Sequence, residues 1–124
     1  MRSFFISDNM PVEETSDGDL SILAVGGELD YEASPQLRAR LTGAIKAGGR
    51  RLVLDLSDVT FIDSTAIGVL AGTVARLDEA GGGSLAVVST HEKVLQIFEI
   101  TGLDSVITVH SSREEALSAF SMAG

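Results

Sequence analysis

The sequence predicts an α/β domain on a mixed, mostly parallel β-sheet with about four α-helices, in the order β-β-α-β-α-β-α-β-α. Three observations carry this reading. Short apolar, strand-like runs alternate with segments whose apolar residues recur at helical spacing, which implies parallel strands joined by right-handed crossovers. The first two strands are separated only by the turn Ser16-Asp17-Gly18-Asp19, so they pair as an antiparallel hairpin and make the sheet mixed. A chain of 124 residues, 44% apolar and without Cys, fits one domain whose core needs no disulfide.

Each element has its own warrant. Phe4-Phe5-Ile6 reads as either a short edge strand or a frayed end. Pro11 to Thr15 is strand-like, with Pro placed as at the start of an edge strand. Leu20 to Gly26 is the second arm of the hairpin. Ser34 and Pro35 read as N-cap and first residue of a helix carrying Leu37, Leu41, Ala44 and Ile45, ended by Gly48-Gly49. Arg51 to Leu56 is a near-continuous apolar run, as an interior strand requires. Asp63-Ser64-Thr65 opens the next helix, with Ile67, Leu70, Ala71, Val74 and Leu77 as its apolar face and Gly81-Gly82-Gly83 as its stop. Leu85 to Val88 is a strand. Ser89 with Glu92 resembles a capping box, with Thr90 as the other candidate cap. The helix that follows buries Val94, Ile97, Phe98 and Thr101 and ends at Gly102. Val106 to Val109 is the last strand, and Ser111 or Ser112 caps a helix with Ala116, Leu117 and Phe120. The expected boundaries are an N-terminal extension over 1–9, which precedes or joins the first strand, a domain over 10–121 and a tail over 122–124.

Composition excludes several functions. With 18 acidic and 9 basic residues the formal net charge is −9, opposite to what phosphate backbones or anionic membranes attract. No signal peptide or membrane-spanning run is visible, so a cytoplasmic protein is expected. Without Cys there is no thiol nucleophile or Cys zinc site, and His91 and His110 are isolated, so no metal or cofactor is expected. Asp55, Asp58 and Asp63 cluster around the end of the central strand. They are read as turn, strand-end and capping groups in preference to Mg²⁺ ligands. A phosphorylated receiver domain would need an acidic pair after its first strand and a Lys after its last, and neither is present. Gly81-Gly82-Gly83-Ser84 lacks the Lys of a phosphate loop and lies between a helix and a strand, the wrong order. No Gly-x-Ser-x-Gly surrounds Ser64. With no acid–base constellation in sight, binding is expected in preference to catalysis.

Ser64 is the residue to single out. It lies just inside a helix start, where unpaired N–H groups and the helix dipole tolerate a phosphoryl group. Such a group adds about −1.5 to −2 charge to one surface patch.

The run Asp55-Leu56-Ser57-Asp58-Val59-Thr60-Phe61-Ile62-Asp63-Ser64-Thr65-Ala66-Ile67-Gly68-Val69-Leu70 resembles the signature of STAS domains, in particular the bacterial anti-sigma factor antagonists. Gly26-Gly27-Glu28-Leu29-Asp30 resembles the Gly-Glu-Leu-Asp after that family's second strand, and Phe98-Glu99-Ile100-Thr101-Gly102-Leu103 resembles the helix end before its last strand. The resemblance implies partner switching. The unmodified protein binds an anti-sigma factor with serine kinase activity and frees a sigma factor; phosphorylation at Ser64 turns this off, and a serine phosphatase of the metal-dependent class restores it. It also implies that Asp63, Thr65 and Ala66 shape the partner contact, with Glu28, Leu29 and Asp30 on a nearby loop. Ala66-Ile67 replaces the family's usual Gly-Leu, and the Ala66 methyl is expected to reduce close approach by a partner. Two other classes share the fold: STAS subunits of lipid-transport ATPase complexes, or other constitutive interaction modules, and small-ligand binders. Monomer and dimer are both compatible with the edge strand.

Overall fold

Strand alternation divides the apolar residues between the two faces of one sheet. The computed structural model describes residues 2–6 and 11–123, with side chains described from 11 to 120. Six strands, β1 (Arg2–Ile6), β2 (Pro11–Asp17), β3 (Leu20–Leu29), β4 (Arg51–Ile62), β5 (Ser84–Val88) and β6 (Thr108–His110), lie in sequence order across the sheet. β1, β2 and β3 pair antiparallel, and β3 to β6 pair parallel. The helices are α1 (Ser34–Lys46), α2 (Ser64–Glu79), α3 (Glu92–Thr101) and α4 (Arg113–Ala123). From Pro11 onward this is the expected element order, with β1 added at the edge where Phe4-Phe5-Ile6 left a strand open. Residues 1 and 7–9 of the expected extension, Met10, and Gly124 of the expected tail lie outside the described residues. Met122 and Ala123 belong to α4.

The hairpin turn is local chemistry. Asp17 pairs with Leu20, leaving Gly18-Asp19 as a two-residue loop. Gly18 has φ +61°, the positive value a type II′ turn requires at its first central position. Along β4, Leu52, Leu54 and Leu56 join the main core with residues from α1, α2 and α3, including Leu37, Leu70, Val94 and Phe98. Val53, between them, faces the other way into a smaller cluster with Ala86, Val88 and Ala116, against which Leu117 and Phe120 of α4 pack. Three helices therefore cover one face, and α4 alone covers part of the other.

Several local readings are corrected by tertiary contacts. The N-cap of α1 is Ala33, and Ser34 is its first helical residue. Asp30 organises the entry instead: its carboxylate accepts from the Glu32 and Ala33 N–H groups at 3.1 Å each, and its carbonyl accepts from the Ser34 hydroxyl at 2.8 Å. The buried face of α2 is Ala66, Val69, Leu70, Thr73 and Leu77, turned from the expected stripe because the helix packs on α1 as well as on the sheet. Ala71 is exposed, and Thr73 is buried because its hydroxyl donates to the Val69 carbonyl at 2.9 Å. α3 is capped at His91 without a side-chain bond, so there is no capping box. Ser89 instead accepts from the His91 N–H at 3.2 Å. Thr101 is exposed, and the last strand shortens to Thr108–His110 because a 3₁₀ turn over Leu103–Ser105 takes up the chain before it.

The Asp55 carboxylate lies on the α4 face and ties that helix to the sheet. Its Oδ2 accepts from Arg113 Nε at 2.6 Å, and its Oδ1 accepts from the Ser57 N–H at 2.9 Å and from the Ser57 hydroxyl. Burial pushes its pKa up, but the bonds from Ser57 and Arg113, together with the guanidinium charge, outweigh this and hold it below the usual carboxylate value. A carboxylate with a lowered folded pKa contributes stability above its unfolded pKa of about 3.9 and loses that contribution as pH falls toward the folded value. Arg113→Ala is therefore expected to destabilise the protein most near neutral pH, the difference from wild type shrinking in acid. Urea unfolding of both proteins at about pH 7 and about pH 3 checks the sign.

Candidate functional site at the start of helix α2

β4 runs on past Leu56 to Ile62, and this extension positions the site. Parallel pairing with β3 continues through two register shifts, one between Ala24 and Gly26 and one between Gly27 and Glu28. Gly27 has φ +82°, a backbone conformation that glycine takes without a Cβ penalty. The Asp63 N–H then donates to the Leu29 carbonyl at 3.1 Å, fixing the exit of β4 beside the end of β3.

Asp63 is the N-cap of α2. Its Oδ1 accepts from the Thr65 N–H at 2.9 Å, from the Ala66 N–H at 3.2 Å and from the Thr65 hydroxyl. Desolvation acts to raise its pKa, but the Thr65 hydroxyl and the N–H groups of Ala66, Thr65 and Tyr31 lower it overall, so it is a carboxylate throughout the physiological range. This is the capping role expected from sequence.

Thr65 also meets α1, its Oγ1 lying 3.0 Å from the Ser34 hydroxyl. Two hydroxyl protons serve three contacts here: Asp63, the Asp30 carbonyl, and each other. The carboxylate is the strongest acceptor, so Thr65 donates to Asp63 and Ser34 shares its proton between the Asp30 carbonyl and Thr65. The network couples the β3–α1 turn to the start of α2.

Ser64 is the first residue of α2 and is exposed, and among the described residues its hydroxyl has no hydrogen-bond partner. The hydroxyl is thus free to be approached from outside without disturbing the cap. Asp63 and Asp30, with Glu28 and Glu32 beside Asp30 in the chain, make the surroundings acidic. Among the described residues no group of carboxylates and His is arranged to hold a metal ion.

The residues expected to meet a partner divide in two. Glu28, Asp30 and Thr65 reach the surface around Ser64. The side chains of Leu29 and Ala66 are both 0% exposed and lie in the core. Glu28 and Leu29 are also not on a loop, since β3 extends to Leu29 and only Asp30 begins the turn. The Ala66 methyl therefore faces the core, and the expectation that it limits a partner's approach is corrected.

The structure adds neighbours that sequence reasoning did not select. Tyr31 is 68% and Phe61 45% exposed, and they lie on the segments leading to α1 and α2. Their adjacency to Asp30 and Asp63 in the chain was the available signal. Ser34 and Arg38 carried none, since Ser34 meets Thr65 across 31 positions. Tyr31, Ser34, Pro35, Arg38, Thr65 and Val69 line a groove of about 330 Å³ between α1 and α2.

The family model described as STAS domain matches residues 10–116. The chain is similar to the anti-sigma-B factor antagonist of Staphylococcus aureus, with 31% identity over 106 residues, 86% of this chain and 97% of that protein. It is 34% identical over 90 residues to the anti-sigma-B factor antagonist of Bacillus subtilis, covering 73% of this chain and 81% of that protein. Among solved structures it resembles an anti-sigma factor antagonist from Mycobacterium paratuberculosis, with a TM-score of 0.80 and 26% identity over 92% of this chain and 96% of that one.

Proposed function

The chain belongs to the STAS domain family, and from that premise we propose that it is an anti-sigma factor antagonist switched by phosphorylation at Ser64. In the unmodified state it binds an anti-sigma factor, which then releases its sigma factor. The names of the Staphylococcus aureus and Bacillus subtilis relatives support this role over that of a lipid-transport subunit. The protein acts by binding, in the cytoplasm, and the ATP site and catalytic base belong to the kinase partner. In the switching step the Ser64 Oγ bonds to the γ-phosphorus of ATP, the bond from that phosphorus to the bridging oxygen breaks, ADP leaves, and the hydroxyl proton passes to a base on the kinase. A serine phosphatase of the metal-dependent class hydrolyses the ester.

The observation that carries the reading is the exposed Ser64 hydroxyl, without a partner among the described residues, at the first position of a helix whose cap is already supplied by Asp63. A phosphoryl group there leaves the cap intact and adds about −1.5 to −2 charge to an acidic rim. The switch thus works on the surface that the partner meets, without unfolding the domain. Intact-mass analysis with site mapping, on the endogenous protein from resting and stressed cells, tests it. The expected result is one phosphoryl group on Ser64 whose occupancy changes with condition. Absence of phosphate in every condition overturns the switch.

A further inference from the structure

Resting on that reading, we infer that the groove between α1 and α2 receives an acidic side chain of the anti-sigma factor, bound by Arg38. Thr65 forms part of the groove and directly follows Ser64, so a protein that covers Ser64 also meets the groove. Pro35 and Val69 line it with apolar surface and Tyr31 adds an exposed aromatic ring, the kind of anchor that interfaces favour.

Arg38 is the one charged residue lining the groove. Four other arginines are engaged: Arg40 with Glu14, Arg51 with Asp19, Arg113 with Asp55, and Arg50 with the carbonyls of Ile45 and Gly49. Arg38 is exposed and has no partner among the described residues. Its guanidinium therefore offers a full fork of donors, suited to a carboxylate. The hydroxyls of Ser34 and Thr65 are already engaged with each other and with Asp30 and Asp63. The groove thus presents one unsatisfied cation beside apolar walls. Its surroundings are acidic, so the partner is basic over the rim and carries one carboxylate opposite Arg38. That pattern sets orientation as well as affinity.

The test measures binding of the full chain to its anti-sigma factor by calorimetry. Arg38→Glu is expected to weaken binding about tenfold or more, while Arg38→Lys, which keeps the charge but loses the fork, is expected to fall between Arg38→Glu and wild type. Changing one Asp or Glu of the anti-sigma factor to Lys is expected to restore binding to Arg38→Glu. Because Arg38 is exposed and makes no internal bond, the melting temperature of each variant should match wild type. Wild-type affinity in Arg38→Glu overturns the inference and leaves the antagonist reading standing. Weakening that no acid-to-Lys change in the partner repairs overturns the acidic occupant. A wild-type chain that binds no anti-sigma factor overturns both readings together.

Discussion

Ser64→Asp is expected to bind the anti-sigma factor at least about 30-fold more weakly than wild type, about 2 kcal/mol, because a carboxylate covered by an interface without a partner is costly to desolvate. The rim already carries Glu28, Asp30, Glu32 and Asp63, so a basic partner surface is not what the added charge repels. The cost arises where the partner packs directly over Ser64 and must desolvate the new carboxylate. Ser64→Ala is expected to bind as wild type does and to resist phosphorylation. Both variants should fold normally. The side chain is exposed and makes no bond among the described residues, and an acidic group at the first position of a helix is favourable to its dipole. Stability within about 0.5 kcal/mol of wild type, combined with the affinity loss, separates a surface switch from damage to the fold. Equal binding by wild type, Ser64→Ala and Ser64→Asp would refute it.

Phe98→Ala is expected to cost about 3–5 kcal/mol. Phe98 is 1% exposed and heads the largest fully buried side chains. It stands on α3 in the core shared with β4, so its removal leaves a cavity under the strand that carries the site. A loss of that size is a large part of the roughly 5–15 kcal/mol that stabilises a domain. Ile100, two residues further along α3 and 79% exposed, supplies the contrast. Ile100→Ala is expected to stay within about 0.5 kcal/mol of wild type. Urea unfolding of the two variants checks both numbers, and a cost below about 1 kcal/mol for Phe98→Ala would mean that the ring is not packed as described.

The features legible in the sequence are those set by a few neighbouring residues. The turn at Gly18 follows from its freedom at positive φ, and Gly102, in the left-handed conformation at φ +75°, ends α3 as expected. Asp63 caps α2 because a carboxylate two and three residues before unpaired N–H groups reaches them without help from elsewhere. The exposed Ser64 follows from that cap. The alternation of strands and helices follows from periodicity, and the motif around Ser64 placed the candidate site before any contact was known.

Only the tertiary structure decided what depends on distant partners. β4 continues to Ile62 because β3 lies beside it, with one extra residue of β4 taken up at each of the two register shifts. A polar run such as Ser57-Asp58-Val59-Thr60 does not declare that pairing by its own periodicity. Leu29 and Ala66 are buried because α1, α2 and the sheet converge on them, although the motif alone suggested surface roles. Asp55 meets Arg113 across 58 positions, and Ser34 meets Thr65 across 31. Local preference fixes how each segment folds, but which of its faces meets water is settled by the segments packed against it.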